Sequence, residues 1–509
     1  MKFNLFTSKK SETVNYEGAK AYVLTPELEL YSAVATTMLA DSFYEKADDR
    51  LNRIRTLVGK VSPAFVAKLA VYVREQLYLR SAPVVLTGEL AKRHNGDSLV
   101  SRTVARVVQR PDEITELLAY YQLTNERKGA KKLGGLSKQV QKGLGAAFNR
   151  FDEYQFAKYN RDAQVKLRDA LFLVHPKAKD EAQQAIYNKI VTDTLETPYT
   201  WETELSALGQ QTFASEKEKQ AAFRAKWEDL VASRRLGYMA TLRNLRNMLE
   251  AGVGPATMQR VCDFLSDAEA VRRSKQLPFR FLAAYREIRD IKSGYVAMIQ
   301  DALEDALRYS VANLRGFSAD TRVVIACDVS GSMQQPVSAK SKVLLYDIGL
   351  LLGMLLQAKC RNVVCGMFGD RWKTVQLPGR NVLANVQEFY RREGEVGYST
   401  NGYLVIDDLI RRKYVADKIM LFTDTQLWDS YTNNAFQANT LRAKWAAYKQ
   451  LAPSARLYLF DLAGYGQAPL RVEANDVYLL AGWSDKVFDV LQALEDGEIS
   501  LAKIEAITL

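Results

Sequence analysis

An aspartate and two serines at two-residue steps, Asp328, Ser330 and Ser332, follow directly on the apolar, β-prone run Val323-Val324-Ile325-Ala326-Cys327. Such a run reads as a buried strand, and the turn after it as an oxygen-rich site. A carboxylate and two hydroxyls are donors that a hard divalent cation, Mg²⁺ above all, accepts, and so few protein ligands leave room for water or a partner's carboxylate. Gly331 permits the sharp turn that brings alternate side chains to one point. Acidic and hydroxyl residues also cap helices, so the pattern needs company. Two further oxygen clusters supply it: Ser399-Thr400-Asn401 stands behind a glycine turn, and Thr423-Asp424 ends the apolar run Ile419-Met420-Leu421-Phe422. Three loops leaving one end of a parallel sheet form the crevice in which open α/β sheets bind ligands.

A second chemistry is carried by cations. Between Arg127 and Arg168 stand Arg127, Lys128, Lys131, Lys132, Lys138, Lys142, Arg150, Lys158, Arg161, Lys166 and Arg168 against only Asp152, Glu153 and Asp162. Lysines on glycine-rich loops suit phosphates, and the interleaved Tyr154, Phe156 and Tyr159 offer flat faces worth about 1 to 3 kcal/mol per stacked base if exposed. The alternative is a solvated helix face with core aromatics. Arg80, Arg234-Arg235, Arg243, Arg246, Arg272-Arg273 and Arg280 are further candidates, each equally suited to an internal carboxylate. Arg243 and Arg246 are expected one turn apart on one helix. The two histidines, His94 in a basic loop and His175 at an apolar helix end, stand apart. Phosphoryl chemistry would need a Gly-Lys-Ser/Thr loop, and acyl chemistry a base near the oxygen cluster; neither is present, so no enzyme is expected.

The elements that must position these groups fall into two textures. With 509 residues, 48% hydrophobic and 25% charged, the chain is a folded one of several cores. Residues 321–509 hold 21 Lys/Arg against 20 Asp/Glu and the rest 49 against 39, so nearly all of the net +11 belongs to the first part, where a polyanion would bind. No stretch reaches the roughly 18 apolar residues of a spanning helix, and the start lacks a secretory apolar core; a cytoplasmic protein is expected. Cys262, Cys327, Cys360 and Cys365 lack metal spacing and are expected as buried free thiols.

Residues 1–25 are expected to form an arm. From 26 to 318 apolar residues recur at steps of three and four, as in Phe65-Leu69-Val73-Leu77, cut by Pro63, Pro83, Pro111, Pro176, Pro198 and Pro278 into short helices. Such helices bury their faces only by stacking in a HEAT-like array. From 319 to 509, strands are expected over Arg322–Cys327, Asn362–Phe368, Lys418–Thr423, Ala455–Phe460 and Asp476–Leu480. Helices are expected over Ser341–Ala358, Tyr403–Arg412, Gln437–Gln450 and Lys486–Leu494, which makes a doubly wound, mostly parallel α/β sheet.

The three oxygen clusters resemble the metal-ion-dependent adhesion site of the von Willebrand factor type A domain. On that resemblance Asp328, Ser330, Ser332, Thr400 and Asp424 would be direct or water-mediated ligands, with Asn401 where related sites often carry an aspartate. The helical half resembles the TROVE module of the Ro autoantigen family, through Phe65-Val66-Ala67-Lys68-Leu69-Ala70, Leu79-Arg80-Ser81-Ala82-Pro83, Phe151-Asp152-Glu153-Tyr154-Gln155, Tyr238-Met239-Ala240-Thr241-Leu242-Arg243-Asn244-Leu245-Arg246 and Leu277-Pro278-Phe279-Arg280-Phe281. The resemblance implies a monomeric ring of helical repeats and a role in RNA binding for His175 and Lys158. The family's next basic position holds Asp162 here, with Arg161 beside it. It further implies a Y-type small RNA on the outer basic surface, single-stranded 3′ ends of misfolded or immature RNA in the channel, and an exoribonuclease or repair enzyme as partner in RNA quality control. The alternative is a metal-dependent protein-docking scaffold acting through the α/β domain.

Overall fold

The computed structural model describes residues 12–14, 20–23, 25–35, 47–124, 136–160, 162–274, 276, 278–312, 317–336, 343–376, 381–424, 427, 440–462, 467–468, 476–481 and 500–509. The chain opens with β1 (Glu12–Val14), β2 (Lys20–Val23) and α1 (Pro26–Ala35). Helices then follow: α2 (Ala47–Val58), α3 (Pro63–Glu75), α4 (Ser81–Arg93), α5 (Leu99–Val107), α6 (Pro111–Thr124), α7 (Lys138–Phe148), α8 (Glu153–Tyr159) and α9 (Leu167–Val174). Next come α10 (Glu181–Thr192), α11 (Trp201–Gly209), α12 (Glu216–Ala232), α13 (Tyr238–Arg243), α14 (Leu245–Ala251), α15 (Pro255–Leu265), α16 (Ala268–Ser274), α17 (Pro278–Ile288) and α18 (Val296–Ala312). The last part alternates: β3 (Arg322–Asp328), α19 (Leu345–Lys359), β4 (Asn362–Phe368), β5 (Trp372–Thr374), α20 (Val382–Tyr390), α21 (Tyr403–Arg411), β6 (Lys418–Thr423), α22 (Leu441–Leu451), β7 (Arg456–Asp461), β8 (Gln467–Ala468), β9 (Val477–Ala481) and α23 (Ser500–Glu505). Contacts divide the chain into two compact units, Asn52–Val261 with Ile499–Leu509, and Met1–Leu51 with Cys262–Glu498.

The first unit is helical throughout its described residues. Proline starts several helices, Pro63 and Pro111 among them, because its fixed φ suits the first turn and its missing N–H is not needed there. Ser62 caps α3 by accepting from the Phe65 N–H at 3.2 Å, and Asp152 with Gln155 closes a reciprocal box at α8. The apolar faces then stack, α3 on α4 and α5, α5 on α7, and α7 and α6 on α9. At Gly143 an added Cβ would lie 2.6 Å from that of Val104, so α7 meets α5 with no room for a side chain. One buried ion pair ties the stack: Arg74 donates to Glu113 at 2.8 and 3.1 Å and to the Val107 carbonyl at 3.0 Å. The segment around α23 returns to α3 and α5, where Arg102 donates to the Leu509 carbonyl at 2.9 Å and Arg106 to that of Thr508 at 2.7 Å.

The second unit holds a six-stranded mixed sheet in the order β5-β4-β3-β6-β7-β9, parallel except for the antiparallel edge strand β5. β3, β6 and β7 are buried along nearly their whole length, the pattern of strands covered on both faces. The expected strands over 362–368 and 418–423 appear with those bounds; β5 and α20 were not expected, and the expected helix over 486–494 lies outside the described residues. Two expectations of domain limits differ from what the contacts show. The first 25 residues contain β1 and β2, which pair with each other and with β8 in a three-stranded antiparallel sheet instead of trailing as an arm. The helices before residue 318 do not all belong to the helical unit, because α17 and α18 need cover that α19 and α20 supply. Arg286 grips the fully buried Asp347 with two hydrogen bonds of 2.6 and 2.7 Å, and Glu304 accepts from the N–H groups of Leu383 and Ala384 at 2.9 and 3.1 Å. Among the described residues no helix is long and apolar enough to cross a membrane, and the four cysteines are buried free thiols.

Candidate metal centre and nucleic-acid interface

In the sheet, β3 has β4 on one side and β6 on the other, so the chain reverses its direction of winding at the C-terminal end of β3. A crevice opens at such a point, and Asp328 is the last residue of β3. Its carboxylate is held at both oxygens, and the two serines of the turn meet beside it. The Ser330 N–H donates to Oδ1 at 2.9 Å, the Thr423 hydroxyl at the end of β6 donates to Oδ2 at 2.8 Å, and Ser330 Oγ lies 3.2 Å from Ser332 Oγ. Asp328, Ser330, Ser332, Thr400 and Asp424 are all buried. Burial, and secondarily the charge of nearby Asp424, push the Asp328 carboxyl up to about 7; the donors on Ser330 and Thr423 pull the other way without winning.

The loop carrying Thr400 is fixed on the turn after β4. Asn401 Nδ2 donates to the Gly369 carbonyl at 3.1 Å, and Ser399 donates through its N–H at 3.3 Å and through its hydroxyl to Asp370. An aspartate at position 401 would set a carboxylate against that carbonyl, so the amide suits this loop. At Gly369 an added Cβ would come within 2.3 Å of the Gly397 carbonyl oxygen, which shows how closely the two loops approach. Among the described residues no three or more His, Cys, Asp or Glu side chains gather into a metal site; the donors here are two carboxylates and several hydroxyls. That hard, all-oxygen set, with one carboxylate disfavoured as an anion by burial and then by its neighbour, fits a divalent cation such as Mg²⁺. Sequence reasoning counted Thr423 in an oxygen cluster but left it out of the ligand set, and passed over Asp370 altogether. Thr423 was legible as the hydroxyl before Asp424, whereas nothing local marks Asp370.

In the helical unit the predicted cations divide three ways. Lys128, Lys131, Lys132 and Arg161 lie outside the described residues. Lys138, Lys142, Lys158, Arg243 and His175 are exposed, the first two one turn apart on α7. The Lys158 ammonium lies 5.6 Å from the ring centre of Tyr154 and 5.9 Å from that of Tyr159, and Tyr154 is 46% exposed. His175 caps α9 in the left-handed conformation, with φ 48°. Others have partners within the protein: Arg80 pairs with Asp112 at 3.1 Å and lies 3.6 Å from Glu113, Arg150 donates to the Val108 carbonyl, and in the second unit the exposed Arg272 and Arg273 both hold Glu269. Arg80 was expected as an RNA contact, and its carboxylate partners account for its placement. Arg243 and Arg246 do not share a helix, since α13 ends at Arg243 and α14 starts at Leu245, and Arg246 pairs with Glu250 at 2.7 Å. Phe156, expected as a stacking face, is core and packs on Phe148 and Phe151 with ring centres 5.9 and 5.8 Å away. Arg168 and Phe172 were overlooked as a pair. The ring of Phe172 is 49% exposed, with the guanidinium 5.9 Å from its centre.

The chain is 19% identical to the Ro (RSR) protein of Deinococcus radiodurans, and the two structures superpose with a TM-score of 0.62 over 93% of this chain and 100% of that one. That likeness extends to the fold. Telomerase protein component 1 of Rattus norvegicus is 23% identical over 334 residues, and that of Mus musculus 23% identical over 342. These matches cover 50% and 52% of this chain and only 12% of either relative. The TROVE domain pattern matches residues 7–226 and 194–296, more than half of the sequence. On the strength of that match the chain belongs to the TROVE family of Ro-like, RNA-binding proteins.

Proposed function

We propose that the protein is a non-catalytic RNA-binding scaffold. Its basic helical surface holds a small structured RNA of the Y type, and its helical array receives single-stranded 3′ ends of misfolded or immature RNA for quality control in the cytoplasm. The observation that carries this reading is the excess of cations over residues 127–168: among its described members Lys138, Lys142, Lys158 and Arg168 are exposed, Lys158 lying by the exposed ring of Tyr154 and Arg168 by that of Phe172. Contacts of this kind neutralise phosphates and stack bases, so they are tolerant of sequence and sensitive to salt. Affinity for a single-stranded RNA is expected to fall steeply between about 50 and 200 mM salt, and reversing Lys138, Lys142 and Lys158 to glutamate is expected to flatten that dependence by about 2 in log–log slope. A flat salt response of the unaltered protein would overturn the reading.

The buried oxygen site supports a second role that is compatible with the first. Asp328, Ser330, Ser332, Thr400 and Asp424 would hold Mg²⁺, which supplies a Lewis-acidic position for a partner's carboxylate, such as that of an exoribonuclease or repair enzyme. The chain's own part is to fix the donors and exclude water from them. Asp328→Ala is expected to abolish Mg²⁺-dependent capture of such a partner and to leave RNA affinity unchanged. Purified protein with Mg²⁺ is expected to leave labelled RNA intact, and turnover lost on the same substitution would refute the non-catalytic part.

A further inference from the structure

Between the end of α9 and one side of α10 lies a cleft of about 270 Å³, lined on one side by Phe172, His175 and Pro176 and on the other by Gln184, Tyr187 and Asn188. It falls just below the about 300 to 1,000 Å³ of pockets that enclose a drug-sized molecule, and so suits a single planar ring system. We infer that this cleft seats one unpaired base of a bound RNA; the inference rests on the RNA-binding reading above and adds to it where, and by what groups, a base is held.

Three features of the cleft point to that occupant. Its apolar side carries Phe172, an aromatic side chain left 49% exposed, where burial against a neighbour would be the ordinary fate of a phenylalanine. Arg168 stands 5.9 Å from that ring, so a cation is at hand for the phosphate of a base stacked there. The opposite side carries two exposed amides one helical turn apart, and Gln184 donates to Asn188 Oδ1 at 3.0 Å. That bond leaves Gln184 an acceptor oxygen and Asn188 donor hydrogens next to each other. Every nucleobase presents a donor and an acceptor side by side on one edge, so the amide pair matches any base and rejects a purely apolar ring.

The cleft is also built in advance. Asn149, at the end of α7, donates to the Lys177 carbonyl at 2.8 Å and accepts from the Lys179 N–H at 3.0 Å and from the Tyr187 hydroxyl at 2.9 Å. One side chain thereby fixes the turn after His175 and the floor at Tyr187. The left-handed backbone of His175 turns the chain out of α9 at the mouth, a conformation unusual for a residue other than glycine. A seat held this way loses little freedom when filled.

The test uses the full-length protein and a fluorescein-labelled single-stranded RNA decamer, with 4-thiouridine substituted singly along it for crosslinking. Irradiation is expected to join the RNA to Phe172 or His175. Phe172→Ala is expected to weaken the decamer about 5- to 100-fold, the loss of one stacked base, and Gln184→Leu with Asn188→Leu to weaken it by a smaller factor. An abasic decamer should bind the native protein and Phe172→Ala equally. Melting curves of the variants check that these exposed changes leave the fold intact. Variants within twofold of native, with no crosslink at the cleft, would overturn the base seat while the charge reversal at Lys138, Lys142 and Lys158 still weakened binding. If the charge reversal also left binding unchanged, the RNA reading itself would fall. Free mononucleotides binding as tightly as the decamer would likewise overturn the proposal, making the cleft a nucleotide site independent of RNA.

Discussion

The two candidate sites are built on opposite principles. The oxygen site is buried, made of neutral and acidic donors at strand ends, and organised by hydrogen bonds of 2.8 to 3.2 Å among Asp328, Ser330, Ser332 and Thr423. The cationic face of the helical unit is exposed, spread over α7, α8 and α9, and organised by little except the helices that carry it. Burial makes the first site a matter of stability, because a carboxylate removed from water must be compensated. Exposure makes the second a matter of salt, because each cation acts through a screened field and is nearly independent of the others. Changes to buried charge should therefore register as melting, and changes to exposed charge as binding.

The sharpest way to break this contrast is to disturb a buried charge away from either site. Arg74→Ala leaves Glu113 buried without its main partner and is expected to cost about 3 to 5 kcal/mol in urea denaturation followed by helical signal; a loss under about 1 kcal/mol would show that burial does not govern stability here. Mg²⁺ comes next. At about one hundred times its dissociation constant the ion should stabilise the second unit by about 2.7 kcal/mol, read as a rise in melting temperature, and Asp328→Asn should abolish the rise. An equal rise in both proteins would place the ion elsewhere.

The proton gives the same site a smaller and independent reading. The Asp328 carboxyl is raised from 3.8 to about 7 in the fold, so the folded state binds more protons than the unfolded one between those values. Without divalent cation its contribution is full below about pH 3.8 and is lost as pH rises through about 7. Asp328→Asn should remove that component of the pH–stability curve, and an unchanged curve would contradict the assignment. On the exposed face, Lys158→Ala is expected to lower the salt slope of single-strand binding by about 0.7 and leave the melting temperature alone. The smallest effect belongs to the surface pair Lys166–Asp162, 2.7 Å apart and exposed on both sides, whose removal should leave the melting temperature unchanged.

What was legible from residues alone follows the same line. Strands β4 and β6 were readable to the residue because each is a mostly apolar run that starts on a polar residue, Asn362 or Lys418, and ends before a glycine or an aspartate. The edge strand Trp372–Thr374 escaped because three residues with one paired side carry no such run. Phe156 and Tyr154 look alike at the level of spacing, and only packing made one core and the other surface. Likewise nothing near Arg80 in the sequence announces Asp112 and Glu113, which lie two helices further on.

The sequence by itself determined the kinds of chemistry: a string of oxygen donors at the end of an apolar strand, and a region where cations outnumber anions almost fourfold. Strand, turn and charge density are local properties, written in neighbouring residues. The tertiary structure alone decided which helices cover which, placing α17 and α18 with the sheet and α23 with the helical array, and it alone brought Phe172, His175, Gln184 and Asn188 around one cleft. Those assignments depend on which faces of different helices meet, and an amphipathic face specifies that it must be covered without specifying by what.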